Sequence, residues 1–293
     1  MTKQKKVIAS RCWWLNCAGF LIVCLFIFAG CGGTGGVDES GKVISGDTIQ
    51  PNEKPLNLAV FIDLSDRIKK DKDKMSQSDK DQLIINELAD KFIDRQIKRG
   101  FGKSTDNFEV LFYPAPDGAQ SLSESLNIDL ASQKKTQEKK RALKNFKDNH
   151  SENLGKLYEN ALQAEEYFGS DIWGFFNKGK INDLYRDGYR NVLVILSDGY
   201  IFDVNNKVKT ADGYSYLLPQ TLAVDGKLIP CKIENPDIEI YFMECNANPQ
   251  TDYPKMKETL ENWFKEMGVK IVDVQDTDLP ANVSKHLSKR IFQ

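Results

Sequence analysis

The sequence predicts an α/β domain in which a doubly wound, mainly parallel sheet is flanked by helices. Three observations lead there. Apolar runs such as 56–62 and 191–196 show no alternation, as expected of strands buried on both faces. Stretches with apolar residues three and four apart lie between such runs, so strands and helices alternate along the chain. Two of the runs end in an aspartate, Ile62-Asp63 and Leu196-Ser197-Asp198, which places polar tips where strands leave a sheet.

The elements follow in order. Leu56 to Ile62 is a first, central strand. Residues 79–99 read as a helix, with Ile85, Leu88, Ala89, Phe92 and Gln96 on one face and Gly100 as its stop. Phe108 to Tyr113 is a strand closed by Pro114. Residues 133–149 are very polar and lysine-rich, which fits a solvated helix face or a contact with anionic lipid or an acidic partner. A separate helix is expected over 151–168, carried by Leu154, Leu157, Tyr158, Leu162 and Tyr167. Asn191 to Leu196 is the next strand. Asp212-Gly213 and Asp225-Gly226, each flanked by β-prone residues, mark two hairpins in an insertion over 200–236. Ile238 to Met243 and Val269 to Val274 are strands, and 254–267 and 279–291 are helices. No internal repeat is visible.

Composition narrows the function. The 293-residue chain has 40 bases and 42 acids. Residues 1–30 hold four bases (Lys3, Lys5, Lys6, Arg11) and no acid, so the remainder is mildly acidic and unsuited to broad nucleic-acid binding. Only two histidines, His150 and His286, are available for a zinc cage or a Ser-His-Asp triad.

The N-terminus reads as an address. Basic residues precede an apolar stretch over 13–29, followed by small residues, which is the order of an export signal. An uncleaved membrane anchor is the rival, since the stretch is about 17 residues long. Phe28-Ala29-Gly30-Cys31 resembles the lipobox of bacterial lipoproteins, with Phe where Leu is usual. That resemblance implies cleavage before Cys31, a lipid on Cys31, and residence in the bacterial cell envelope on a membrane. Residues 31–55 are Gly-rich, then polar, and read as a tether. Cys231 and Cys245 then remain in the body, either paired or as two buried thiols.

Chemistry is expected outside the carboxyl ends of the strands, where strand order reverses. Asp63 and Asp198 would converge there. Two bare carboxylates at close range repel, so a hard divalent ion, Mg²⁺ first, is a natural partner. After Asp63 come Ser65, Asp66 and Arg67. With Gly169-Ser170-Asp171 and Asp198-Gly199, this set resembles the metal-ion-dependent adhesion site of von Willebrand factor A-type (VWA) domains. The resemblance covers about residues 56–291 in element order, with an insertion near 115–150. It implies metal ligation by Asp63, Ser65, Ser170 and Asp198, and a protein partner whose carboxylate completes the coordination. Asp66, Arg67 and Asp171 would meet that partner. Arg67 stands where the family has a second serine. It either replaces the metal by pairing with Asp63 or Asp198, or points outward to bind a partner's carboxylate.

Local explanations exist for each residue: Ser65, Asp66 and Ser170 as helix caps, Asp198-Gly199 as a turn. Gly102-Lys103-Ser104 is no phosphate loop, since Ile97 stands where its first glycine belongs. Two other functions compete. One is a Mg-dependent phosphohydrolase of the haloacid dehalogenase type with Asp63 as nucleophile, although Ser65 occupies its second aspartate position. The other is a metal-free structural lipoprotein of a surface assembly, with Tyr214, Tyr216, Leu217 and Leu218 as contacts.

Overall fold

In a computed structural model the chain divides into Met1–Asp47 and Thr48–Gln293. The structure describes residues 53–69, 75–115, 120–164, 170–200, 230–247 and 250–293, with short strand segments between 208 and 228. The signal, Cys31 and most of the tether lie outside the described residues, as do Gly169, Tyr216, Leu217 and Leu218.

One six-stranded sheet organises the domain. Its strands are β1 (Leu56–Ile62), β2 (Asn107–Leu111), β3 (Ile128–Asp129), β4 (Arg190–Leu196), β9 (Ile238–Cys245) and β10 (Ile271–Asp276). The intervening pairs β5 (Val208–Thr210) with β6 (Gly213–Ser215), and β7 (Ala223–Val224) with β8 (Lys227–Leu228), form two antiparallel hairpins at the two Asp-Gly positions. The sheet order is β10-β9-β4-β1-β2-β3, and every pairing is parallel except that of the edge strand β3 with β2. The chain therefore winds outward from β1 to β3, returns beside β1 as β4, and continues the other way. The switch point falls between β1 and β4.

Among the described residues, seven α-helices cover the two faces: α1 (Gln77–Arg99), α2 (Gln120–Glu124), α3 (Thr136–Gln163), α4 (Ile172–Asn177), α5 (Lys180–Leu184), α6 (Tyr253–Glu266) and α7 (Pro280–Ile291). The period-two pleat of β1 divides its buried side chains between them. Leu58, Val60 and Ile62 join the core beneath α1, α3 and α7, whereas Ala59 and Phe61 join the one beneath α4, α5 and α6.

Several elements differ from expectation. The polar run near 133–149 and the helix expected from 151 are one 28-residue helix, α3. Lysines line its outside while Leu143, Phe146, His150, Leu154 and Leu157 keep one buried stripe through both halves. Within the segment near 115–150, β3 extends the sheet and α3 covers it. The run 56–62 is interrupted by buried Asn57. Its amide donates to Asn191 Oδ1 at 2.8 Å, while Asn107 donates to Asn57 Oδ1 at 2.9 Å. These bonds join the three strands in register and explain a polar residue in a buried run. Cys231 and Cys245 are two separate buried thiols.

Candidate functional site

The rim at the carboxyl ends of β1, β2 and β4 is built by register. Ile62 lies opposite Leu196, and the Asp63 amide donates to the Leu196 carbonyl at 3.1 Å. Asp63 is fully buried. Its Oδ1 accepts from the Ser65 amide at 3.0 Å and its Oδ2 from the Ser197 hydroxyl at 2.7 Å. Asp198 follows Ser197 and is half-buried. Its Oδ1 accepts from the Tyr200 amide at 3.0 Å. Gly199 has φ +89, a left-handed value that favours glycine, and an added Cβ would stand 2.5 Å from Met256 Sδ.

Arg67 turns inward. Its side chain is 4% exposed, so of its two roles left open by the sequence the structure contains the internal pairing. Nε donates to the Asp63 carbonyl at 3.1 Å and lies 3.6 Å from Asp63 Oδ2. One terminal nitrogen donates both to the Leu196 carbonyl and to Asp81 Oδ2, each at 2.7 Å. The guanidinium thus ties the end of β1, the end of β4 and helix α1 together. Asp81 also accepts from the Tyr158 hydroxyl at 3.0 Å and from Gln77 Nε2 at 3.1 Å. Gln77 reaches on to Glu244 Oε2 at 2.8 Å.

Electrostatics follow this arrangement. Burial would lower the Arg67 pKa, but Asp81 and Asp63 reverse that and hold its charge more tightly than usual. Burial pushes the Asp63 and Asp81 carboxyls up, opposed by Arg67 and by hydrogen bonds. Burial and the neighbouring Asp63 charge push Asp198 up to about 7. The Ser197 hydroxyl, which donates to Asp63 Oδ2 and accepts from the Gly199 amide at 3.2 Å, ties the turn that carries Asp198 to Asp63.

Ser170 reaches the same rim by another route. The Asp171 amide donates to the Tyr113 carbonyl at 2.8 Å, and Tyr113 lies two residues beyond Leu111, which pairs with Phe61. Among the described residues no hydrogen bond joins Ser170 to Asp63, Ser65 or Asp198. Asp171 is buried and caps α4, accepting from the Gly174 amide at 2.7 Å, so its carboxylate is committed locally and is not presented to a partner. Ser65 and Asp66 are half-exposed at the mouth.

The arrangement does not fit Mg²⁺ on Asp63. Both Asp63 oxygens already accept hydrogen bonds, and the Arg67 guanidinium, 3.6 Å from Oδ2, would share the buried pocket with the ion. Among the described residues no group of three or more His, Cys, Asp or Glu is arranged to hold a metal ion.

Sequence reasoning missed Asp81, although a signal existed. Asp81 precedes Ile85 by four residues and Leu88 by seven, so it places a carboxylate on the apolar stripe of α1.

No family model matches this sequence, and no curated protein matches it. In structure the chain is similar to the pilus adhesin SpaC from Lactobacillus rhamnosus GG, in two crystal forms, at 10% identity. The TM-scores are 0.42 and 0.41, and in both the likeness covers 83% of this chain but 30% of the adhesin.

Proposed function

We propose that the chain is an exported, lipid-anchored binding module of the bacterial cell envelope, and that its rim engages a protein partner without a divalent ion. Cys31 carries the lipid. The rim is a VWA-like adhesion site in degenerate form, with Arg67 standing in for the metal. The observation that carries this reading is the buried Arg67 guanidinium, which spans the switch point and satisfies Asp63, Asp81 and the Leu196 carbonyl. A fixed cation held this way offers the partner no open coordination position. Contact falls instead to the groups at the mouth, Ser65, Asp66 and Asp198. The module performs no chemical step. Burial of Asp63, with both oxygens turned to internal donors, supports a structural carboxylate over a phosphohydrolase nucleophile.

The test is calorimetry with Mg²⁺ and Mn²⁺ on the wild type and Asp63→Ala, together with capture of envelope proteins with and without chelator. Null titrations for both proteins, and capture that survives chelator but is lost in Asp66→Lys, are expected. A stoichiometric Mg²⁺ isotherm abolished by Asp63→Ala would overturn the metal-free reading. Turnover of phosphate esters abolished by Asp63→Asn would replace it with the enzyme. Mass spectrometry of the mature N-terminus checks Cys31, and an unmodified cysteine removes the lipid anchor.

A further inference from the structure

The end of the domain opposite the rim carries an unexplained concentration of positive charge. The described chain begins there, at Glu53, just before β1. The Glu53 carbonyl accepts from Arg99 at 2.8 Å, and its carboxylate pairs with Arg95 at 2.8 Å. Arg99 ends α1, and the turn after it, 100–104, meets the first turns of α3. Lys139 donates to the Gly102 and Ser104 carbonyls, and the Lys140 ammonium lies 5.4 Å from the centre of the Phe101 ring. The entry point of the domain, the end of α1 and the start of α3 therefore form one continuous surface.

On that surface Lys98, Lys103, Lys134, Lys140, Arg141 and Lys147 are exposed. Among the described residues none of the six has a carboxylate within ion-pair distance, whereas Lys135 pairs with Glu138 and Lys144 with Asp148. Ile97, 55% exposed, adds an apolar group beside them.

Helix stability accounts for Lys98, in the last turn of α1 where the dipole favours bases, but not for the bases of α3. The positive end of a helix dipole is its N-terminus, where bases are unfavourable, yet the bases of α3 crowd its N-terminal half.

We infer that this surface faces and binds an anionic bilayer, with its lysines among the lipid phosphates. Two features select a membrane. The charge is complementary, with juxtamembrane basic groups each adding to attraction within a Debye length. Its location also fits, because the chain enters the domain at this surface. Cys31 and Glu53 are 22 residues apart. The rim, beyond the other ends of the strands, then points away from the membrane. The inference rests on the membrane anchoring proposed above, but not on whether the anchor is a lipid on Cys31 or the apolar stretch over 13–29.

The experiment uses the full chain reconstituted into vesicles of phosphatidylcholine alone or mixed with phosphatidylglycerol. Acetylation rates of individual lysines are read by mass spectrometry. Lys98, Lys103, Lys140 and Lys147 should react about fivefold more slowly on the anionic vesicles, a difference that disappears in ~1 M salt. Lys232 and Lys255, elsewhere on the surface, serve as internal references. Charge reversal by Lys140→Glu with Lys147→Glu should restore fast labelling at Lys98 and Lys103 on the same vesicles. Equal rates on the two compositions, or protection that persists in high salt, overturn the inference. The N-terminal peptide in the same digests reports acylation of Cys31, so failure of the lipid reading is seen separately.

Discussion

Replacing Arg67 by serine would write the hydroxyl of the adhesion-site pattern into this chain, and it provides the sharpest test of the rim. The substitution removes a side chain that is 4% exposed and makes three hydrogen bonds. The Leu196 carbonyl keeps a partner, because the Asp63 amide also donates to it at 3.1 Å. Asp63 and Asp81 do not recover their cation. Breaking a buried ion pair from one side costs about 3–5 kcal/mol. Each kcal/mol lowers the melting temperature of a domain this size by about 2–4 °C, so the expected loss is roughly 6–20 °C. Thermal unfolding followed by circular dichroism, at constant ionic strength with chelator or Mg²⁺, measures it. The wild type should be indifferent to Mg²⁺. Arg67→Ser should melt early in chelator and recover with Mg²⁺, by about 2.7 kcal/mol at a concentration one hundred times the dissociation constant. Arg67→Lys, which keeps the charge but not the planar fork, should fall between the two. An unchanged melting temperature in Arg67→Ser, or a wild type that Mg²⁺ stabilises, would refute the reasoning.

Other consequences concern pH and packing. Asp198, pushed to about 7 by burial and Asp63, binds more protons in the folded than in the unfolded chain between about pH 4 and 7, so its contribution falls as pH rises through that window. Asp198→Asn should therefore stabilise the domain at pH 8 and change little at pH 4, as urea titrations at the two pH values would show. His150 acts in the opposite sense. Burial among Phe108 and Phe146 pushes it down to about 4, and neither ring nitrogen has a hydrogen-bond partner among the described residues. The unfolded chain takes up a proton that the fold refuses, so stability falls by about 3 kcal/mol between pH 6.5 and 4. His150→Leu should flatten that limb of the stability curve. Gly199→Ala should lose about 1–3 kcal/mol, because alanine at φ +89 is strained and its Cβ meets Met256 Sδ, and a chevron or urea midpoint would register it.

The strands were legible because the sheet is buried on both faces. Each run of Val, Ile, Leu and Phe carries its own signal, and Asp63 and Asp198 were locatable as the first acidic residues past two such runs. Helix α3 was harder to read, since its lysines and its buried stripe lie on different faces of one cylinder and seemed to be two segments. Strand β3 has two residues, too few to show any period. At the rim, the sequence shows an arginine four residues after Asp63 but not where it points. Direction depends on Asp81, 14 residues away, and on a carbonyl of β4, 129 residues away. The sequence offers Asp171 as a partner contact, and in the fold its carboxylate caps α4, a role that shows only once the neighbouring chain is placed.

A guanidinium carried on the backbone cannot be rinsed away. Its local concentration is set by one side chain's length and not by the surrounding medium. Under the proposed function, binding at such a rim answers to acidity acting on Asp198 and not to the supply of a mineral.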